Sequence, residues 1–336
     1  MSRNTLRAIV TTVPFAEISP EPMRILQDAG YEVVINPTGK RLKADEVAGL
    51  VRGFDVIIAG TEIITGAALA EAGSVRAICR VGIGVDGVDL IAARNQNIGV
   101  AYTPDGPSPA VAELAVGLMI DLLRGVGQAD RGLRRGAWTR YNGRRIAECT
   151  VGVIGCGRIG RRVIAHLCGG FPGVRILAHD ILGPQQFAHA EQVTWTGLED
   201  IVARADVITL HVPLTRATHG LIGAKEFAAM QPHALLVNTA RGGIVDEAAL
   251  ADALEGKRIA GAAIDVFEDE PYAGPLTRCE NILLTCHMGS MTRDCRLRME
   301  IEAAEEAARF ARGEPFKCPV PEAEYIIAAD RAEHRK

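Results

Sequence analysis

The sequence predicts an α/β fold made of two doubly wound parallel sheets. Two observations carry that expectation. Short apolar runs alternate with helix-patterned stretches over the first hundred residues, and the alternation resumes at residue 150 and runs to residue 285. The second series opens with an apolar run, VGVI, then a glycine-rich turn and a helix-patterned stretch, which is the order of a βαβ unit.

In chain order, residues 6–12, 31–35, 56–59, 75–81 and 98–102 read as strands, and residues 22–29, 44–51, 66–72 and 88–95 between them read as helices. Such alternation implies a parallel sheet covered on both faces. Pro104, Pro107 and Pro109 break the pattern, and Ser108 can cap a helix that starts near Pro109. Residues 130–145, DRGLRRGAWTRYNGRR, carry six arginines against one acid. They read either as a solvated connector packed down by Trp138 and Tyr141, or as an anion-binding or subunit-contact segment. Strands recur at 192–196, 206–212, 234–239, 261–267 and 281–285, and a long helix at 293–311 precedes a Pro-containing tail.

A chain of 336 residues can hold two domains with sizeable cores. A net charge of −4 gives no general pull towards nucleic acid. The longest apolar helical segment, 110–123, is interrupted by Glu113 and Asp121 and is too short to span a bilayer. The N-terminus reads as a first strand, not a signal peptide, so a cytoplasmic location is expected. Eight cysteines include no CxxC pair, so reduced thiols are expected, and no metal site.

The turn GCGRIG has a specific physical reading. Gly155 would make a tight turn, Gly157 would let the backbone approach a pyrophosphate, and Gly160 would let the helix pack close to its strand. The helix opening at Arg158 and Ile159 offers free N–H groups to the anion. Asp180 lies twenty residues past Gly160. It would accept hydrogen bonds from ribose hydroxyls and repel a 2′-phosphate, which favours NAD over NADP.

Further stretches place reactive side chains just after strands: HVPLT from His211, NTARGGIVD from Asn238, DVFEDEP from Asp265 and CHMG from Cys286. Among them Arg241, Glu270 and His287 would suit an anionic hydroxy acid. Arginine binds a carboxylate by a forked pair of hydrogen bonds, and histidine exchanges a proton near neutral pH. By spacing alone, each could equally be a satisfied surface or helix-cap group.

These stretches, with RVGIGVDGVDL, resemble the D-isomer-specific 2-hydroxyacid dehydrogenases, and are closest to the 3-phosphoglycerate dehydrogenases of that family. The resemblance implies a flavodoxin-like substrate domain from residues 1–103 and 289–336, with a Rossmann domain, residues 104–288, inserted between. It implies catalytic Arg241, Glu270 and His287. Backbone N–H groups of Val81, Gly82, Ile83 and Gly84 would bind the substrate carboxylate. Asp265 would bond the nicotinamide carboxamide, Thr239 and Ala240 would line its pocket, Val212 and Pro213 would contact the cofactor, and Thr218 would approach the pyrophosphate. Arg80 and Arg140 would suit a substrate with a second anionic group, Arg140 acting across a homodimer; or Arg80 is structural and Arg140 one of a solvated cluster.

Departures from the family pattern lie near the substrate. Gly60 and Thr61 stand where many relatives have an Arg-Ser pair, so Thr61 is a candidate contact at the substrate's far end. Cys286 replaces the usual Pro before the histidine. Two other functions compete: oxidation of a small anion such as phosphite, and an NAD-sensing, corepressor-like scaffold. The formate enzymes of this fold carry Gln where this chain has Glu270, which argues against that branch.

Overall fold

The computed structural model describes residues 5–334, and the chain divides into two units. The first contains the residues up to Pro107 and those from Met291 onward; the second is Ser108–Ser290. The boundaries therefore fall slightly later than 103 and 288. The expected first domain's terminal residues, 1–4 and 335–336, lie outside the described residues.

The chain opens with β1 (Leu6–Val10), α1 (Glu21–Asp28), β2 (Tyr31–Ile35), α2 (Ala44–Val51), β3 (Val56–Ala59), α3 (Gly66–Ala72), β4 (Ala77–Arg80), α4 (Leu90–Asn95) and β5 (Gly99–Ala101). The strands form one parallel sheet in the order β2-β1-β3-β4-β5. Every residue of β3 and β4 is buried. That is why these strands, up to Arg80 at the end of β4, read as continuous apolar runs: helices cover both faces. Ile9, Ile57 and Ile78 meet Val47, Leu69 and Leu90 in one core. Several strands stop short of their apolar runs. Thr11 and Val81 still bond β3, donating to the Ile58 and Ala59 carbonyls at 3.0 and 2.9 Å, and the loops at the sheet's C-terminal edge start there.

Residues 108–290 supply α5 (Ser108–Arg124), α6 (Val126–Arg134), β6 (Thr150–Ile154), α7 (Arg158–Gly170), β7 (Arg175–His179), β8 (Val193–Trp195), α8 (Leu198–Arg204), β9 (Val207–Leu210), α9 (Ala224–Ala229), β10 (Leu235–Asn238), α10 (Glu247–Glu255), β11 (Gly261–Ile264) and β12 (Ile282–Leu284). The sheet order is β12-β11-β10-β9-β6-β7-β8, all parallel. Val151, Val153, Val207, Val237 and Ala263 pack with α5 and α7 on one face. Ile154, Ile208, Leu210, Leu236 and Ile264 pack with α8, α9 and α10 on the other. This is the doubly wound arrangement.

Two local expectations are corrected here. Ser108 lies inside α5, and its buried hydroxyl has no partner, so it does not cap that helix. The arginine-rich stretch begins inside α6, a helix with no buried residue. Beyond it Trp138 is 83% exposed. Arg144 then ties the stretch down through Asp206, at 2.7 Å.

The chain returns to the first unit as α11 (Arg293–Ala311), which buries Met299, Ala303, Ala304 and Ala307. Tyr102 N–H donates to the Cys318 carbonyl at 3.1 Å, and Val320 N–H to the Val100 carbonyl at 3.0 Å, so the tail runs along β5. It ends in α12 (Glu322–His334), a helix the sequence reading does not anticipate. Arg94 of α4 pairs with Glu322 at 2.6 Å and lies over the Tyr325 ring. Among the described residues no helix is long and apolar enough to cross a membrane.

Candidate active site

In the second unit the strand order reverses between β9 and β6, and the glycine turn leaves β6 at that point. Ligands of open parallel sheets sit outside the C-terminal strand ends at such a reversal. Gly155 has φ +91, and a Cβ there would stand 2.6 Å from the His211 carbonyl oxygen. A Cβ on Gly160 would collide with the Gly155 carbonyl oxygen. Gly157 has open space beside it, Arg158 is exposed at the first position of α7, and Ile159 is partly buried. Asp180 follows β7. Its carboxylate accepts the Cys156 N–H at 2.7 Å and the Leu182 N–H at 2.9 Å, which fixes it beside the glycine turn.

The loop after β9 carries Val212, partly buried, and Pro213, exposed. The Thr218 hydroxyl donates to the Pro213 carbonyl at 2.6 Å and accepts the Thr215 N–H at 2.8 Å, so it braces this loop. His211 Nε2 lies 3.0 Å from the Thr209 hydroxyl, and burial pushes its imidazole down to about 3. His211 Nδ1 and the Thr239 hydroxyl are both buried without a protein partner. They sit one residue past the paired Leu210 and Asn238, on neighbouring strands. Orphaned polar atoms at this edge fit a polar ligand laid along it.

Arg241, Glu270 and His287 come off the ends of β10, β11 and β12, three neighbours in the sheet. Glu270 and His287 meet: His287 Nδ1 is 3.0 Å from Oε1 and 3.0 Å from Oε2. A carboxylate only accepts, so Nδ1 carries a proton and Nε2 is the ring atom turned away from Glu270. Glu270 also accepts the Phe267 N–H at 3.2 Å. A Cβ on Gly242 would collide with the Phe267 carbonyl, so glycine lets the Arg241 turn pack against the Glu270 loop. Arg241 is half-buried, and its Nη1 donates to the Ala240 carbonyl at 2.6 Å. His287 has φ +49, a left-handed conformation that costs a non-glycine residue on the order of 1 kcal/mol.

Two residues hold this arrangement from below. Asp265, 1% exposed, accepts the Thr285 hydroxyl at 2.6 Å and the N–H groups of Met288 and Gly289, each at 2.9 Å. It therefore anchors the His287 loop, and by oxygen count has room for about one further donor. Asn238 was not singled out by sequence. Its side chain accepts the Ala240 N–H at 3.0 Å and donates to the Arg241 carbonyl at 2.9 Å. An Asn at a strand end, two residues before a turn, is the signal that could have found it.

In the first unit, Arg80 ends β4, is 8% exposed, and folds its guanidinium onto the Val81 carbonyl. Of the expected carboxylate-binding N–H groups, Val81 donates to the Ala59 carbonyl and Gly82 to the Thr103 hydroxyl. Ile83 and Gly84 follow at the bend, partly exposed. Thr61 is exposed, and Arg140 is exposed in the stretch after α6. Among the described residues no cluster of His, Cys, Asp or Glu could hold a metal ion.

The reversing parallel sheet with its glycine turn and acid defines a dinucleotide-binding α/β protein. Residues 116–289 match the family described as D-isomer specific 2-hydroxyacid dehydrogenase, NAD binding domain. The chain is 37% identical over 312 residues to D-3-phosphoglycerate dehydrogenase of Methanocaldococcus jannaschii, covering 91% of this chain and 58% of that protein. It is 34% identical to hydroxypyruvate reductase of Thermotoga maritima, covering 80% of this chain and 89% of that one. Its fold superposes with a TM-score of 0.84 and 32% identity on the TT0316 protein of Thermus thermophilus, over 94% of this chain and 100% of that chain. The chain belongs to the D-isomer-specific 2-hydroxyacid dehydrogenase family, and its second unit carries that family's NAD-binding domain. It spans 58% and 57% of the length of two archaeal phosphoglycerate dehydrogenases that it matches.

Proposed function

We propose that this protein is an NAD-dependent dehydrogenase that interconverts a D-2-hydroxy acid and its 2-oxo acid. The observation that carries the reading is the bidentate His287–Glu270 pair, one strand away from the loop of Arg241. Arg241 holds the substrate carboxylate and polarises the C2 oxygen. His287 Nε2 takes the proton of the 2-hydroxyl, while Glu270 keeps the ring oriented and stabilises the imidazolium that forms. In the reverse direction the same atom returns the proton. NAD, when bound, accepts the hydride from C2.

The same reading gives the remaining residues their work. Gly155, Gly157, Arg158, Ile159 and Gly160 hold the pyrophosphate at the start of α7, and Asp180 takes the ribose diol. Val212, Pro213 and Thr218 shape the loop over the cofactor, while Thr239, Ala240 and Asp265 receive the nicotinamide end. In the first unit, the N–H groups of Ile83 and Gly84 are the candidate carboxylate donors, with Val81 and Gly82 bracing their bend. Arg140 is turned outward, where it could meet a second anionic group on the substrate; Arg80 is turned inward.

We further read the protein as a cytoplasmic homodimer. The exposed Val126, Leu133 and Trp138 on and after α6 support a subunit contact, and the free cysteines suit a reducing compartment. Sedimentation with and without Trp138→Ser tests the contact. The reaction is tested by NADH oxidation with a panel of 2-oxo acids. Arg241→Ala and His287→Ala should each lower kcat/KM about 10²- to 10⁴-fold; wild-type rates in both would end the assignment.

A further inference from the structure

Glu270 rides on the loop that follows β11, and a loop carries a side chain only as steadily as it is itself held. This loop is held from α10. Glu247 is the first residue of that helix, which Asp246 caps by accepting the Ala249 N–H at 2.9 Å and whose inner face is buried by Leu250, Ala251, Ala253 and Leu254. The Glu247 carboxylate therefore starts from a fixed backbone. It crosses to the loop and accepts the Glu268 N–H at 2.8 Å. It also bonds the Tyr272 hydroxyl, which in turn accepts the Leu276 N–H at 3.2 Å. Glu268 and Tyr272 stand two positions before and two positions after Glu270.

One carboxylate thus grips the loop on both sides of the residue that orients His287. Two further contacts close the ring. The Phe267 and Tyr272 rings stack, with centroids 4.2 Å apart and planes at 17°, and the Phe267 N–H meets Glu270 Oε1 at 3.2 Å. The peptide between Phe267 and Glu268 is pressed by Gly242 and tied by Glu247. Burial pushes the Glu247 carboxyl up from its usual range, against the pull of the Glu268 N–H. Its charge is therefore a cost to the fold, and what it supplies is a pair of well-placed oxygens. Glu270 has to keep both of its own oxygens 3.0 Å from His287 Nδ1, a geometry that a small displacement of its loop would break.

We propose that Glu247 is a positioning residue for the reaction: by tying Glu268 and Tyr272 to α10, it keeps Glu270 bidentate on His287. Its action runs through Glu270. The proposal rests on the dehydrogenase reading.

The test uses the full chain with NADH and the 2-oxo acid that it turns over fastest. Glu247→Gln keeps an oxygen for the Glu268 N–H and should hold kcat within about twofold of wild type. Glu247→Ala leaves that N–H without its partner and should lower kcat about tenfold, with the Kd for NADH changed by less than about twofold. In a Glu270→Gln background the same Glu247→Ala change should cost less than about twofold, because the group it positions no longer carries the charge. Tyr272→Phe keeps the ring stack and removes one of the two ties. It should fall between, and it carries the same comparison if Glu247→Ala does not fold. A tenfold loss in both backgrounds would make Glu247 merely structural and overturn the proposal. So would a wild-type kcat in Glu247→Ala, or a Glu247→Gln variant as slow as Glu247→Ala. Amide exchange gives a readout apart from turnover: residues 266–272 should exchange about tenfold faster in Glu247→Ala, with Leu235–Asn238 unchanged. If the wild type turned over no acid while the exchange result held, the dehydrogenase reading would have failed and the tie would stand. Turnover with unaltered exchange would remove the tie alone.

Discussion

Glu270 holds His287 with both carboxylate oxygens, each 3.0 Å from Nδ1. The two residues follow neighbouring strands, so the sheet sets their separation before any ligand arrives. Glu270→Gln keeps an acceptor for the Nδ1–H but removes the charge that stabilises an imidazolium. We expect kcat to fall about 10²-fold or more with NADH affinity unchanged, measured by single-turnover kinetics and a binding titration. Equal losses in kcat and NADH affinity would mean that the loop, not the charge, had been disturbed.

Asp265 is the anchor beneath that pair. Asp265→Asn would place an amide NH₂ either against the Gly289 N–H or against the Met288 N–H and the Thr285 hydroxyl. Such a buried clash costs about 1–3 kcal/mol. The melting temperature should drop by a few degrees, and on the proposed reading, in which this carboxylate also receives the nicotinamide carboxamide, the KM for NADH should rise. An unchanged melting temperature would count against the anchoring role.

His211 should make the protein acid-sensitive. Burial holds its imidazole down at about 3, whereas an unfolded histidine titrates near pH 6.5. Between those values the unfolded chain binds a proton that the folded chain refuses, so stability falls as pH drops from about 6.5 towards 3 and is unaffected above that range. Denaturant midpoints for His211→Gln should depend less on pH in this window than those of the wild type. Parallel curves would rule the residue out.

Asp206 behaves in the opposite way. Burial alone would raise its pKa, but donation from Arg144, the Thr150 N–H and His233 holds the carboxyl below its usual range. Its contribution is present above the unfolded carboxyl pKa and is lost as pH falls through the lower folded value. Asp206→Ala should destabilise by about 2–4 kcal/mol in chemical denaturation near neutral pH. It should also loosen the stretch ending at Arg144, read as faster proteolysis around Trp138.

The fold was legible because its signals are local. Parallel strands buried on both faces must be apolar throughout, and Val151, Ile154, Ile57 and Ile78 announce themselves. The glycine turn was legible for the same reason, since it answers a backbone constraint a few residues long, and Asp180 because its distance from that turn is set by the length of one βαβ unit. Strand ends were less legible: Thr11 and Val81 are apolar or β-branched enough to extend a strand, and only the pairing partner decides where the ladder stops. The direction of a long side chain is decided at a distance. Nothing adjacent to Arg80 says that it folds inward, and Asp265's grip on Met288 and Gly289 spans more than twenty residues. The helix α12 escaped because its apolar positions meet α4, far back in the chain.

The strand-like tail along β5 has a consequence for synthesis. Residues 5–107 form a sheet whose outer edge and covering helix α11 are encoded beyond Met291, whereas Ser108–Ser290 is continuous. On the ribosome the later-made unit can therefore close first, while the earlier-made one waits, its edge unpaired, for the residues beyond Met291 to emerge. Nascent chains stalled soon after Ser290 has left the exit tunnel should resist protease across 108–290 and be cut within 5–107. Equal protection of both would show that the first unit closes without its returning strand and helix.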